Sequence, residues 1–331
     1  MIISRTPFRV SLFGGGSDYP KWYLNHGGAV IGFAIDKYCY ITLRKLPPFF
    51  DYRHRIVYSK SEMVNDLSEI QHPAVRAVLT DQGVDYGAEV HHDGDLPARS
   101  GLGSSSSFTV GLLHVVRALR GIMSTRQTLA KEAIRIEQEV IAESVGSQDQ
   151  IWAAYGGMNR IDFHRDGEFM VEPVIMAPER RQHLMDHFML FFTGFSRYAT
   201  ETAAKKIANL DQRARQIRTM VAMVDDAATI LGNGGNDFTD IGRMLHESWQ
   251  LKRELADSVS TPAIDDIYQA AIGAGATGGK LLGAGGGGFM LFFVPPERQA
   301  AVRGNLNRLV EVKFNVDFGG SKIVVYEPNG L

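Results

Sequence analysis

The run Pro97-Ala98-Arg99-Ser100-Gly101-Leu102-Gly103-Ser104-Ser105-Ser106-Ser107 constrains this chain more than any other stretch. It sets a glycine turn directly before an apolar, helix-like segment, Phe108 to Leu119. Glycine lets the backbone turn tightly and approach a ligand with no Cβ in the way. The serines fall where a helix begins, where unpaired N–H groups and the positive dipole end coincide. Such an end binds phosphate, and a hydroxyl there can also ligate a metal. One serine would suffice as a plain helix cap; the four in succession exceed that need. No Gly-Lys-Ser/Thr completes a Walker A loop, and no Gly-x-Ser-x-Gly elbow supports a hydrolase serine.

At 331 residues the chain is long enough for two domains or one large one. A net charge of -2 gives no reason to expect nucleic acid or an acidic membrane as partner. The 35 glycines are clustered rather than periodic, which excludes a collagen-like chain. Cys39 stands alone in an apolar run and reads as a buried, inert thiol. The N-terminus lacks the basic start and apolar core of a signal peptide. The longest apolar run, Phe289 to Val294, is too short to span a bilayer. The expected location is the cytoplasm.

Ile2-Ile3, Phe8 to Phe13, Val30 to Ile35 and Tyr38 to Leu43 read as strands. Helices are expected from Ser105 to about Ser144, with a strand at Met158 to Phe163. A Pro-, Glu- and Arg-rich segment, Glu172 to Gln182, marks the expected junction between domains 1–178 and 179–331. Beyond it come a strand at Phe188 to Phe192, helix from Thr200 to about Leu231, and helix near Pro262 to Ala274. Strands and helices mix without regular alternation, which favours α+β over a doubly wound sheet.

Gly283 to Gly288 formally match Gly-x-Gly-x-x-Gly. A dinucleotide fingerprint follows a strand and opens a helix, whereas here a helical segment precedes and strand-like Phe289 to Phe293 follows. A loop passing close to a ligand or to another backbone explains these glycines better. Thr125 to Val145 reads as one helix, with Ser124 and Gln127 as a capping box. Ala130, Ala133, Ile134, Val140 and Ile141 form its apolar stripe, and Glu137 falls in the middle of it. Glu132, Glu139 and Glu143 fall on the opposite, solvated face. A carboxylate aimed inward is costly unless paired. An arginine, a hydrogen-bond network or a metal would satisfy it, and Mg²⁺ suits a site of few protein oxygens plus phosphates.

Asp149 follows closely enough to be a second acid of the same site. Arg9 lies in an apolar strand, so it faces either solvent or a buried anion. Gly14 to Gly16 then turn the chain and present Asp18, whose carboxylate can accept from sugar hydroxyls. His91-His92-Asp93 is a poor metal cluster, because adjacent strand residues point to opposite faces; these are expected at the surface.

Three stretches together resemble the GHMP kinase family: Pro7-Phe8-Arg9-Val10 through Gly16-Ser17-Asp18-Tyr19, Pro97 through Ser106, and Lys280-Leu281-Leu282-Gly283-Ala284-Gly285-Gly286-Gly287. Their order and spacing match along nearly the whole chain. Within the family, Phe13-Gly14-Gly15-Gly16-Ser17-Asp18 and Gly146-Ser147-Gln148-Asp149-Gln150 resemble the heptose 7-phosphate kinases, the former also fucokinase-like members. Galactokinases carry Gly-Glu-His in place of Gly14-Gly15-Gly16, which speaks against galactose.

The resemblance implies an α+β fold with an N-terminal ribosomal-protein-S5-like domain and a C-terminal ferredoxin-like domain. It implies that Arg99, Ser100, Gly101, Leu102, Gly103, Ser104, Ser105 and Ser106 wrap the ATP phosphates. Ser105 and Glu137 are then the Mg²⁺ ligands. Asp149 acts on the attacking hydroxyl, with Arg9 holding it ionised, as a neighbouring cation does by lowering an Asp pKa by ~1–3 units. Asp18, Gly15, Gly16, Ser17, Gly285 and Gly286 line the sugar site, and Arg197 and Lys280 are the candidate cations for a distal phosphate. The expected reaction phosphorylates the anomeric hydroxyl of a heptose 7-phosphate for surface polysaccharide synthesis. The rivals are a kinase of a free sugar such as fucose, a silent sugar-binding member, and a mevalonate diphosphate decarboxylase. The expected partners are a sugar phosphate and MgATP, with a homo-oligomer left open.

Overall fold

Two long apolar strands, β1 (Ile2–Phe13) and β2 (Gly28–Lys45), merge the four short strands expected near the start. The computed structural model describes residues 1–194 and 199–329. Between the two strands lies α1 (Pro20–His26), and beyond them β3 (His54–Val57), β4 (Ser61–Val64), α2 (Pro73–Asp81) and β5 (Ala88–Gly94). Then come α3 (Ser104–Leu119), α4 (Arg126–Arg135), α5 (Gln148–Tyr155), β6 (Met158–Phe163) and β7 (Phe169–Pro173). The second half holds α6 (Pro178–Met185), β8 (Phe188–Phe192), α7 (Ala199–Asn209), α8 (Ala214–Gly232) and α9 (Thr239–Arg253). It continues through α10 (Pro262–Gly273), β9 (Gly278–Leu281), β10 (Phe289–Phe293), α11 (Gln299–Asn305), β11 (Val310–Val312) and β12 (Lys322–Tyr326).

The strands form two sheets. The first runs β12-β1-β2-β5-β3-β4, and β6, paired with β7, joins the other half of β2. All its pairings are antiparallel except β3 with β5. The second is the antiparallel order β11-β8-β10-β9. β12 crosses back from the second half to pair with β1. The expected division at 178 therefore fails at its far end, because residues 322–326 complete the first sheet.

β1 is buried along almost its whole length, so both of its faces are covered. α3 packs on β1 and β2 closely enough that a Cβ on Gly111 would lie 3.0 Å from Thr6 Oγ1 and 3.1 Å from Ser4 Oγ. Under the second sheet, Trp249 of α9 and Tyr268 of α10 meet Phe292 and Phe191 in a separate core. Cys39 is fully buried in β2.

The helix expected over 125–145 is shorter and differently capped. Thr125, not Ser124, is the N-cap and accepts from the Thr128 amide; Ser124 Oγ instead accepts from Arg117 Nε at 2.8 Å. The helix passes into a π-turn over Ile136–Val140, and Ala142 takes a φ of 60° that ends any continuation. Val140, expected in the apolar stripe, is exposed because the widened turn rotates it outward. Two of the three glutamates expected in solvent are also engaged: Glu132 pairs with Arg117, and Glu143 is half-buried. His92 is not a free surface residue either, since its ring stands edge-on to Phe108 at 5.1 Å.

Candidate active site

Three loops converge beside the start of α3. The first turns at Arg99, Gly101 and Gly103, whose φ values are 58°, 86° and 74°. Gly103 caps α3 in the left-handed region that favours glycine. The opening amides of this 16-residue helix lack intrahelical partners, as the first turn of any helix does, and no side chain caps them at Gly103. The second loop, 282–288, crosses the first at backbone distance. A Cβ on Gly101 would lie 2.5 Å from the Leu282 carbonyl oxygen, and one on Gly283 would lie 2.5 Å from Gly101 Cα. Those glycines exist because two main chains touch.

From β1, Arg9 reaches under the first loop. Its Nε and Nη2 donate to the two Asp149 carboxylate oxygens at 2.7 and 2.6 Å, and its Nη1 donates to the Gly101 carbonyl at 2.6 Å. Such a two-pronged fork fixes the plane of the carboxylate as well as its place. Asp149 sits in the first turn of α5, and its side chain keeps 24 % exposure while Arg9 keeps 6 %. The acid is thus held rigidly by a buried cation and still reaches solvent. A Cβ on Gly103 would lie 3.4 Å from Asp149 Oδ2, so the acid stands directly against the phosphate-type loop.

Glu137 is fully buried, as its place in the apolar stripe requires. Ser106 Oγ and Gln150 Nε2 donate to its Oε2 at 2.9 and 2.5 Å, while its Oε1 has no partner. Burial pushes its pKa up to about 7, against the lowering effect of the nearby Thr109 hydroxyl and of its hydrogen bonds to Ser106 and Gln150. An orphaned buried carboxylate oxygen is costly, and it fits a cation. Among the described residues no group of three or more His, Cys, Asp or Glu side chains could hold a metal. A metal here would lean on few protein oxygens plus phosphates, the habit of Mg²⁺.

The hydroxyl beside Glu137 belongs to Ser106, whereas Ser105, the expected partner, is exposed. One residue along a helix is a rotation of about 100°, enough to turn a side chain from inside to outside. Ser106→Ala should therefore raise the divalent-metal requirement of turnover about tenfold, by loss of a hydrogen bond to a charged group, with Ser105→Ala the weaker change. Metal titrations of both variants check this.

Asp18 is buried at the foot of the same cluster. It accepts from the Gly16 amide and from Gln148 Nε2, both at 2.8 Å, and burial pushes its pKa up. Gly146 makes room for it, since a Cβ there would lie 1.8 Å from Asp18 Oδ2. Other expected residues turn out to be committed elsewhere. Ser17 is fully buried and its Oγ bonds to Gly14 and Ala29, so it braces the turn rather than facing a ligand. The Gly286 amide donates to the Val259 carbonyl at 3.0 Å, and Gly285 packs on the Val259 backbone. Ser100 Oγ donates to the Pro97 carbonyl at 2.6 Å and Ser104 Oγ accepts from the Arg99 amide, so both shape the loop. Leu102 is buried beneath the loop, and its carbonyl accepts from the Arg9 amide. Gly15 remains partly exposed. Lys280, expected as an accessible cation, is 3 % exposed and its ammonium donates to the Leu12 carbonyl at 2.7 Å. Arg197 lies outside the described residues.

No sequence signal marks Lys206 of α7 or Lys252 of α9, yet both are buried, Lys252 on the Leu281 and Gly283 carbonyls and Lys206 5.9 Å from the Tyr19 ring centroid. Charges on helices ordinarily face water, and no local pattern marks these two as inward. Two cavities of about 1070 and 760 Å³ lie elsewhere and include none of Arg9, Asp18, Glu137 or Asp149. Convergent chemistry, rather than hollow volume, locates this site.

A cradle for phosphate facing a rigidly aimed carboxylate is what phosphoryl transfer to a hydroxyl needs, since positioning and charge do most of that work. The class is therefore a phosphotransferase. Residues 69–157 match the GHMP kinases N terminal domain and residues 223–311 the GHMP kinases C terminal domain. A D-glycero-alpha-D-manno-heptose 7-phosphate kinase of Campylobacter jejuni is 30% identical over 308 residues, covering 90% of this chain and 91% of that protein. An L-fucokinase/L-fucose-1-P guanylyltransferase of Bacteroides fragilis is 26% identical, over 92% of this chain but 35% of that protein. The crystal structure of a D-glycero-D-manno-heptose 1-phosphate kinase from Bacteriodes thetaiotaomicron superposes with a TM-score of 0.73 at 25% identity, covering 97% of this chain and 98% of that one. The chain belongs to the GHMP kinase family and is an ATP-dependent phosphotransferase. No helix among the described residues is long and apolar enough to cross a membrane.

Proposed function

We propose that this kinase phosphorylates the anomeric hydroxyl of D-glycero-D-manno-heptose 7-phosphate, giving the 1,7-bisphosphate and ADP. The single observation that carries the reading is the Arg9–Asp149 fork set against the glycine-serine loop. The loop and the first amides of α3 hold the ATP phosphates. Asp149 accepts the proton of the attacking hydroxyl and aims its oxygen at the γ-phosphorus, while Arg9 keeps the carboxylate in place. Asp18 accepts from sugar hydroxyls. Glu137, with the Ser106 hydroxyl beside it, would hold Mg²⁺. When bound, that ion would neutralise charge on the phosphates. The protein works in the cytoplasm in this reading, where ATP is supplied, and its product enters synthesis of nucleotide-activated heptose.

The 30% identity to the heptose 7-phosphate kinase, over nearly the full length of both chains, supports the choice of substrate. A free-sugar kinase is the second reading, favoured by the fucokinase relative. ADP release with MgATP separates them across heptose 7-phosphate, mannose 6-phosphate, and free mannose, fucose and galactose. Turnover with heptose 7-phosphate at least about tenfold above the rest is expected, a modest demand for a site built to pair a charged group. Faster turnover of a free sugar would refute the substrate, and silence on all five would favour a binding protein.

A further inference from the structure

The region of Asp18 gathers four buried basic side chains against two carboxylates. Arg9, Lys206, Lys252 and Lys280 are all at most 5 % exposed. The carboxylates that act on them are Asp18 and Asp149. With all six ionised, these four cations and two anions leave two positive charges in excess. A buried charge without a counter-charge is expensive, so the arrangement favours arrival of an anion.

Counting donors separates the four cations. Arg9 is committed to Asp149 and to the Gly101 carbonyl. Lys252 donates to the Leu281 and Gly283 carbonyls at 2.6 and 2.7 Å, and Lys280 donates to the Leu12 carbonyl at 2.7 Å. Among the described residues Lys206 makes one long hydrogen bond, 3.5 Å to the Ala284 carbonyl, and stands 5.9 Å from the Tyr19 ring centroid. An ammonium carries three donors, so Lys206 has donors to give. Burial lowers its pKa to about 8, and that of Lys280 to about 7. The Tyr19 ring near Lys206 belongs to the residue that follows Asp18, and the Ala284 carbonyl to the 282–288 loop, so the ammonium stands between the Asp18 turn and that loop.

We propose that Lys206 receives the phosphate carried by the sugar substrate, and that the buried cations behind it select an anionic sugar over a neutral one. The inference rests on the sugar-phosphate reading above and names the residue that enforces it.

The test compares kcat/KM for heptose 7-phosphate and for the unphosphorylated heptose in the native enzyme, K206M and K206R. Native discrimination in favour of the phosphorylated sugar comes first; a native enzyme that prefers the free sugar overturns the substrate reading and this proposal together. Given that preference, K206M is expected to reduce the discrimination about 10- to 100-fold, through KM for the sugar phosphate, with K206R intermediate. Equal losses on both sugars, or none on either, would overturn the role of Lys206 and leave the substrate reading intact. Thermal unfolding without ligand guards against a merely structural effect. Removal of a buried ammonium with only one long hydrogen bond among the described residues should raise the melting temperature of K206M, whereas a fall would make Lys206 a structural partner and overturn its role as phosphate receiver.

Discussion

Asp149→Asn is expected to lower turnover about 10²- to 10⁴-fold, the span that a positioned acid or base contributes, while ATP affinity stays within about twofold. The amide has nearly the shape of the carboxylate and keeps one acceptor for Arg9. It cannot take a proton from the attacking hydroxyl. The loop at 99–106 is held by its own contacts, the Ser100–Pro97 and Arg99–Ser104 bonds among them, so the nucleotide cradle survives the change. Stopped-time ADP assays, with ATP-analogue titration by calorimetry, read the two quantities apart. Near-native turnover would remove Asp149 from the chemistry, and a parallel collapse of ATP affinity would show that the substitution had disturbed the loop.

Glu137→Gln should raise the Mg²⁺ concentration needed for half-maximal turnover by at least about 10- to 100-fold, the range seen when a metal site merely loses outer support. Glu139→Gln should leave it unchanged, because Glu139 is exposed two residues away. Equal responses would refute the inward placement of Glu137 as the reason for its role. A second readout needs no catalysis. The Glu137 pKa is pushed from the ordinary glutamate range to about 7 by burial. Its protonated form fits the folded protein well, so the stability tied to it is intact below the ordinary range and is lost as pH rises through about 7. In EDTA at pH 8, the glutamine variant should therefore melt above the native protein. The gap should shrink at pH 5, where the native side chain is largely neutral.

Much of this site was legible because its parts are local. Glycine before a serine run and an apolar helix is a statement about adjacent residues, and it marks the loop that opens α3 against Asp149. Glu137 could be placed inward because helical periodicity survives for three turns, although the helix bends into a π-turn at that very residue. That turn, the left-handed Ala142 and the exposure of Val140 come from packing around the acid, which periodicity does not describe. The choice between Ser105 and Ser106 is a choice of helix face one residue apart, and capping preference is blind to it. Ser17, Gly285 and Gly286 were expected to face a ligand because they stand in motif stretches. Their partners are backbone groups from remote segments, Ala29 and Val259, which no local pattern reveals. Lys206 and Lys252 escape local reading for the opposite reason: each looks like an ordinary charge on an amphipathic helix until the carbonyls of residues 281–284 close over it.

The pairing of β12 with β1 has a consequence for the order in which this protein can be made. Thr6, within β1, and its hydrogen-bond partner Ser321, just before β12, lie 315 positions apart, and the two strands pair in one sheet. On a ribosome β1 emerges long before β12, so the edge of β1 that β12 covers stays bare until residues 322–326 have been translated. Closing so large a loop adds little free-energy cost, because the entropy grows only with the logarithm of length. The delay is what matters, since an unpaired apolar strand is a template for the wrong neighbour. Newly made chains should pass through a period of chaperone dependence that ends when β12 docks, and a chain stalled before residue 322 should remain in it.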